Sequence, residues 1–231
     1  ESVEIYYNDK KFTPAPEYAT PKEGEFMFMQ EQQSYKWPMI LFTIGVFMAG
    51  LDNGIISAAL TTVYQSFEVS PTWGAWTITL YTLGIAISVP IIGKLSDRYG
   101  RKRLFLVEVF LFGLGSLLVA LSPNFIFLLV ARFIQALGGG GIFIIGSSFV
   151  LATVPKKNQG KFLGLLGSMH GLSAVIGPNV GALILHLTGA WEWMFLINVP
   201  IALFLFVMGI LKIEESKSPS TASLDSIGAV Y

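Results

Sequence analysis

The 231-residue chain contains no cysteine, which excludes disulfides, thiolate metal sites and cysteine nucleophiles. Charge is scarce as well. Only 13% of the residues are Asp, Glu, Lys or Arg, where a soluble domain carries about a quarter. In their place stands apolar sequence: 53% of residues are hydrophobic and the mean hydropathy is +0.62. Such a chain takes lipid as its solvent. The first residues are acidic and polar rather than basic and then apolar, so no cleavable signal peptide is read there. No metal, cofactor or enzymatic activity is expected, and no nucleic-acid partner.

Residues 1–36 differ from everything after them. Seven carboxylates and four lysines alternate there with prolines and scattered aromatics, and no helical or strand period persists. The reading is a flexible, mildly acidic tail, with Phe26-Met27-Phe28-Met29 lying on the bilayer surface.

Six apolar segments follow, near 37–62, 73–93, 104–121, 125–152, 162–187 and 193–212. Each is long enough to cross about 30 Å of hydrocarbon. Trp37, Tyr64, Trp73, Trp76, Trp191 and Trp193 sit near segment ends, where amphipathic rings prefer the interface. The expected fold is therefore an all-α bundle of six transmembrane helices.

Fourteen of the fifteen Lys and Arg residues fall in the tail, in the second-to-third and fourth-to-fifth connections, or after the sixth segment. The connections on the other side hold none. The positive-inside rule makes the charged side cytoplasmic, with the N-terminus on it. The densest stretch, Gly93 to Arg103, packs five cations, one carboxylate and two glycines into eleven residues. It reads as the tip of a helical hairpin.

The fifteenth cation, Arg132, lies inside segment four, and Asp52 lies inside segment one. Both sit on the order of 14 Å below the outer surface at 1.5 Å per residue, so they can meet at one depth. Ionisable groups at that depth are costly and are functional candidates. Burial favours a protonated acid, whereas a nearby guanidinium favours the ionised one. A modest rearrangement could thus load or release a proton at Asp52. The expectation is that the two side chains share a polar, water-accessible hollow. The blander alternative is a static buried ion pair.

Segment five is punctuated by Gly164, Gly167, Gly171, Gly177 and Gly181, with Pro178 after Gly177. Small residues let helices approach closely in lipid, and the proline bends the helix. Gly138–Gly141 in segment four likewise reads as close packing, since no strand precedes it to make a phosphate cradle. His186 and Glu192 read as interfacial, and Glu108 as a partner of the basic loop. His170 could line a cavity, without a proton role.

Taken together these stretches resemble the major facilitator superfamily and, within it, the fourteen-helix drug:proton antiporters. Gly93-Lys-Leu-Ser-Asp97-Arg98-Tyr-Gly100-Arg101-Lys102-Arg103 is similar to the superfamily's loop between helices two and three. Leu51-Asp52-Asn-Gly-Ile-Ile-Ser-Ala-Ala59-Leu60 resembles the antiporter pattern in helix one, with Gly54, Ser57 and Thr61 departing from it. Arg132-Phe-Ile-Gln135 resembles the helix-four motif, with Ala136 in place of a glycine. Gly164, Ser173, Gly177, Pro178 and Gly181 fall at the spacing of the helix-five antiporter motif, Ser173 replacing a glycine. Trp191 to Pro200 resembles the entry to helix six, with Glu192 in place of a usual Arg.

The resemblance covers about 37–212 and implies the N-terminal half of a rocker-switch carrier in the plasma membrane. It implies that Asp97 and Arg101, with Gly93, Arg98 and Gly100, latch two bundles together on the cytoplasmic side. Asp52 and Arg132 would carry proton coupling, and the helix-five motif would favour exchange. Asn53, Gln135, Asn179 and Asn198 are candidates to line the cavity. Residues 213–231 read as a linker and the start of a further helix, so a C-terminal half of six to eight helices is expected. The implied activity is proton-coupled export of lipophilic or cationic compounds. Two alternatives remain open: a lipid or glycolipid exporter of the same fold, and a non-transporting scaffold with a partner-binding tail.

Overall fold

A computed structural model of the chain describes residues 21–214, with side chains from Tyr35 onward. The chain divides into two units, Glu1–Lys36 and Trp37–Tyr231, and the site described below lies in the second. The described elements are all helical: α1 (Pro21–Ser66), α2 (Pro71–Gly74), α3 (Trp76–Tyr99), α4 (Arg101–Ala120), α5 (Phe125–Gly140), α6 (Ile142–Thr153), α7 (Lys156–Thr188), α8 (Trp193–Leu196) and α9 (Asn198–Lys212). Six spans are long and apolar enough to cross a membrane: Tyr35–Ser66, Pro71–Tyr99, Arg101–Ala120, Phe125–Thr153, Lys156–Thr188 and Trp193–Lys212. They match the six apolar segments read from the sequence.

Three boundaries differ from that reading. α1 begins at Pro21, well before the expected start near 37. Residues 1–20 and 215–231, and the side chains of Phe26–Met29, lie outside the described residues, so the expected tail, surface cluster and linker are not seen. The basic stretch is not an eleven-residue turn, because α3 runs to Tyr99 and α4 starts at Arg101. Gly100 alone turns the chain, with φ 101° and ψ 144°, a conformation that glycine adopts without the Cβ penalty. The fourth span is interrupted at Gly141 between α5 and α6.

The core is layered along the spans. Near one end Phe42 meets Phe105 edge-on at 5.0 Å and Phe149 at 5.2 Å. Near the other, Phe67 packs on Phe125 and Trp191, and Trp191 on Phe195. Such pairs add about 0.5–1.5 kcal/mol beyond their buried area. At the end carrying the basic stretch, Lys102 Nζ donates to the Ile210 carbonyl at 2.7 Å. Lys212 lies over the Trp37 ring there, 5.5 Å from its centroid.

The fifth span joins the first through small residues, but not through all those expected. Ser173, Gly177 and Gly181 are buried on α7. They face Gly50, Gly54 and the Ile55–Ala58 turn of α1. A Cβ on Gly177 would stand 2.7 Å from the Gly54 Cα, so neither position admits a side chain. Close packing was also expected at Gly164, Gly167 and Gly171. A Cβ at any of these meets nothing within 4 Å, because that part of α7 packs through its other face, where buried Leu166 reaches Gly146 of α6.

Candidate functional site

Between the two aromatic layers lies a polar knot. Arg132 of α5 donates from Nη1 to Asp52 Oδ2 of α1 at 2.7 Å and to Gln135 Oε1 at 2.6 Å. Gln135 Nε2 donates to Asp52 Oδ1 at 2.8 Å and to Ser116 Oγ of α4 at 2.7 Å. Asn198 Nδ2, at the start of α9, completes the carboxylate with a bond to Oδ1 at 2.7 Å. Asp52, Arg132, Gln135, Ser116 and Asn198 are all 0% exposed.

The local sequence explains the convergence. Arg132 and Gln135 are three apart on α5 and so share a face, and Asp52 lies opposite that face. The amides from two other helices supply the donors that a buried carboxylate requires. The guanidinium is enclosed by rings on its remaining sides. Its Cζ stands 4.0 Å from the Tyr81 ring centroid of α3 and 5.4 Å from that of Phe195 of α8. A desolvated cation–π contact is worth about 2 kcal/mol. Arg132 Nε and Nη2 have no hydrogen-bond partner, so these rings are what meets that part of the guanidinium.

The structure thus brings Asp52 and Arg132 into direct contact, as expected, but without the expected polar hollow. The pair is sealed. Amides and aromatic rings fill the space that water was expected to occupy. Gln135 and Asn198, expected on the cavity wall, belong instead to the knot. Asn179 is exposed and bonds only the Val175 carbonyl on its own helix, at 3.2 Å.

A cavity of about 270 Å³ lies next to the knot, walled largely by apolar residues such as Val46, Ile85, Val89 and Ile144. Its polar contributors are Asn53, His170 and Tyr81. Of Asn53, Gln135, Asn179 and Asn198, Asn53 alone lines it, and His170, which the sequence also allowed beside a cavity, lines it too. Tyr81, fully buried, has one face on Arg132, and its hydroxyl has no hydrogen-bond partner. An unsatisfied buried hydroxyl costs about 1–3 kcal/mol. Neither Tyr81 nor Ser116 stands out in the sequence: both are uncharged residues inside membrane-length apolar segments.

At the basic end, Arg101 Nη2 pairs with Asp97 Oδ1 at 3.2 Å, across the Gly100 turn from α3 to α4. Arg101 Nε donates to Ser148 Oγ of α6 at 3.0 Å, and that hydroxyl donates to Asp97 Oδ1 at 3.3 Å. The pair is thus anchored to the fourth span within this bundle, through a serine that the sequence did not single out. Arg98 lies over the Tyr99 ring, and Gly93 lies near Ile144. Glu108, expected against the basic loop, turns instead into the bundle. Its Oε2 accepts the Gly141 N–H at 2.7 Å, where the fourth span breaks and α6 begins. A carboxylate at a helix N-terminus satisfies an orphan donor and meets the positive end of the helix dipole. No group of three or more potential metal ligands occurs among the described residues.

Six spans around a buried charge network define one bundle of a polytopic membrane protein. Residues 42–229 match the family model of the Major Facilitator Superfamily, and the chain belongs to that family. It is 66% identical over 87% of its length to the uncharacterized MFS-type transporter YfiU of Bacillus subtilis (strain 168). To multidrug resistance protein 3 of the same organism it is 35% identical, again over 87%. To the riboflavin transporter RibZ of Clostridioides difficile (strain 630) it is 34% identical over 76%. It spans 39%, 39% and 38% of these relatives, about two fifths of their length. Among solved structures, the proton:xylose symporter XylE shares the fold, with a TM-score of 0.71 at 16% identity. That match covers 80% of this chain and 46% of the symporter.

Proposed function

We propose that the chain is the N-terminal half of a secondary carrier that exports lipophilic compounds across the plasma membrane in exchange for protons. The likeness to multidrug resistance protein 3 supports the export reading. The observation that carries proton coupling is the sealed contact between Asp52 and Arg132. Protonating Asp52 would leave a buried guanidinium without a counter-charge, and removing one partner of a buried pair costs about 3–5 kcal/mol. A protonated Asp52 and the closed knot therefore exclude each other. Proton binding then requires the helices to part, and a proton's arrival biases the bundle toward an open arrangement. Arg132 stays charged throughout and supplies the bias.

In this reading the Asp97–Arg101–Ser148 cluster holds the cytoplasmic end, where the N-terminus also lies. The buried Ser173, Gly177 and Gly181 hold the fifth span to the first. A second half, related to this one, completes the substrate site.

The test is efflux from proteoliposomes holding the full-length protein, with a pH gradient imposed. Asp52→Asn should abolish gradient-driven efflux. The double variant Asp52→Asn/Arg132→Gln removes both charges and should restore folding without restoring coupling. Gradient-driven efflux at the wild-type rate in either variant would refute the proton role. The largely apolar cavity lining suits a lipid exporter as well. Competition by added lipid, with none by uncharged dyes, would favour that second reading.

A further inference from the structure

The cavity and the knot are separate, and one side chain touches both. Tyr81 places its ring face 4.0 Å from Arg132 and also lines the cavity. Its hydroxyl is buried and unpartnered. A Cβ on Gly139 would come within 3.3 Å of that hydroxyl, and Gly139 is itself part of the cavity wall. The hydroxyl therefore ends at the wall, with a donor unused. Buried hydroxyls are seldom left so, and an unsatisfied one points to a group that is not always present.

The rest of the lining says what kind of group. Among the described residues no carboxylate faces the cavity; the nearby acid, Asp52, is consumed by Arg132, Gln135 and Asn198. The guanidinium behind Tyr81 is neutralised by Asp52, so the lining offers a cation no unpaired negative charge to meet. Phe143 and His170 stand 6.1 Å apart as tilted rings, both lining the space, and offer aromatic faces to a flat molecule.

We propose that Tyr81 is the residue through which the cavity's occupant is recognised and reported to the Asp52–Arg132 pair. The occupant is an uncharged, planar, apolar molecule bearing an oxygen or nitrogen acceptor. Its acceptor takes the Tyr81 hydroxyl hydrogen, and its ring system lies along Phe143 and His170. Holding the hydroxyl at the cavity wall fixes the ring over the guanidinium, so occupancy strengthens the enclosure of the ion pair and opposes protonation of Asp52. This rests on the transport reading above, with Tyr81 supplying its missing connection between substrate and proton sites. It also narrows the cargo to neutral compounds, against the cationic ones that the sequence suggested.

The experiment uses the purified full-length protein with two probes, Nile red (uncharged, planar, with a ring carbonyl) and ethidium (a planar cation). Saturable Nile red binding tighter than that of ethidium is expected. Tyr81→Phe keeps the ring over Arg132 and deletes only the hydroxyl; it should weaken Nile red binding about tenfold. In proteoliposomes it should raise KM and lower gradient-driven kcat, since the occupant then no longer acts on the ring over Arg132. Tyr81→Leu, which uncovers Arg132, should lower kcat as well. Because Tyr81→Phe removes an unpaired polar atom, its thermal unfolding without dye should be no lower than wild type, which separates recognition from misfolding. Unchanged Nile red affinity in Tyr81→Phe, absent Nile red binding, or tighter ethidium binding would each overturn the inference. If Tyr81→Phe loses Nile red binding in a protein that shows no proton-driven flux, the transport reading falls and the recognition site stands. Proton-driven flux with unaltered Tyr81→Phe binding means the reverse.

Discussion

Asp52 and Arg132 lie 80 residues apart in the chain and meet at 2.7 Å with neither side chain open to solvent. Around them, polar side chains and rings from α3, α4, α5, α8 and α9 close on α1, so five of the six spans are tied at one point. Breaking the pair from one side is therefore a stability experiment before it is a transport experiment. Asp52→Asn should cost about 3–5 kcal/mol and lower the thermal unfolding temperature in detergent. Asp52→Asn/Arg132→Gln should recover most of that loss, since no charge is then left buried alone.

Arg132→Lys tests geometry rather than charge. One Nη1 bridges Asp52 and Gln135 while the planar guanidinium faces Tyr81 and Phe195. An ammonium keeps the charge and loses the planar face. We expect Arg132→Lys to unfold at a temperature between those of wild type and Arg132→Gln, read by the same thermal assay.

The contact between the first and fifth spans can be tested by adding one methyl group. A Cβ on Gly181 would stand 2.8 Å from the Ile55 carbonyl oxygen, and one on Gly177 2.7 Å from the Gly54 Cα. Gly177→Ala and Gly181→Ala should therefore each lower the thermal unfolding temperature in detergent. Gly164→Ala should not, since a Cβ there meets nothing within 4 Å and alanine favours the helix.

At the basic end the two partners should respond unequally. Asp97 has a half-exposed side chain, whereas Arg101 is buried and also bonds Ser148. An ion pair with one exposed partner is worth about 0–1 kcal/mol, so Asp97→Asn should alter thermal unfolding little. Arg101→Ala loses buried packing and the tie to α6, and should lower it clearly.

Much of this was legible in the sequence, and the limits are physical. Lipid leaves the backbone few options, so the six spans follow from apolar length. The depth of Asp52 and Arg132 followed from rise per residue, and their contact with it. The sealing did not, because it depends on the amides of Gln135 and Asn198 and on a ring, Tyr81, that hydropathy counts as ordinary span. Gly100 turning the chain alone was hidden by the charges around it, which read as a loop although they sit on helices. Glu108 was assigned by charge proximity in sequence. Its partner is the Gly141 backbone N–H, which exists as a free donor only because the fourth span breaks there.

The central claim is that a proton on Asp52 and the closed pair with Arg132 exclude each other, so that substrate and proton compete through one knot. Proton release on adding a transported dye to the purified full-length protein, in weakly buffered detergent solution, tests it most directly. Wild type should release protons in proportion to dye bound, and Asp52→Asn/Arg132→Gln should bind dye and release none. Equal release from both would contradict the claim.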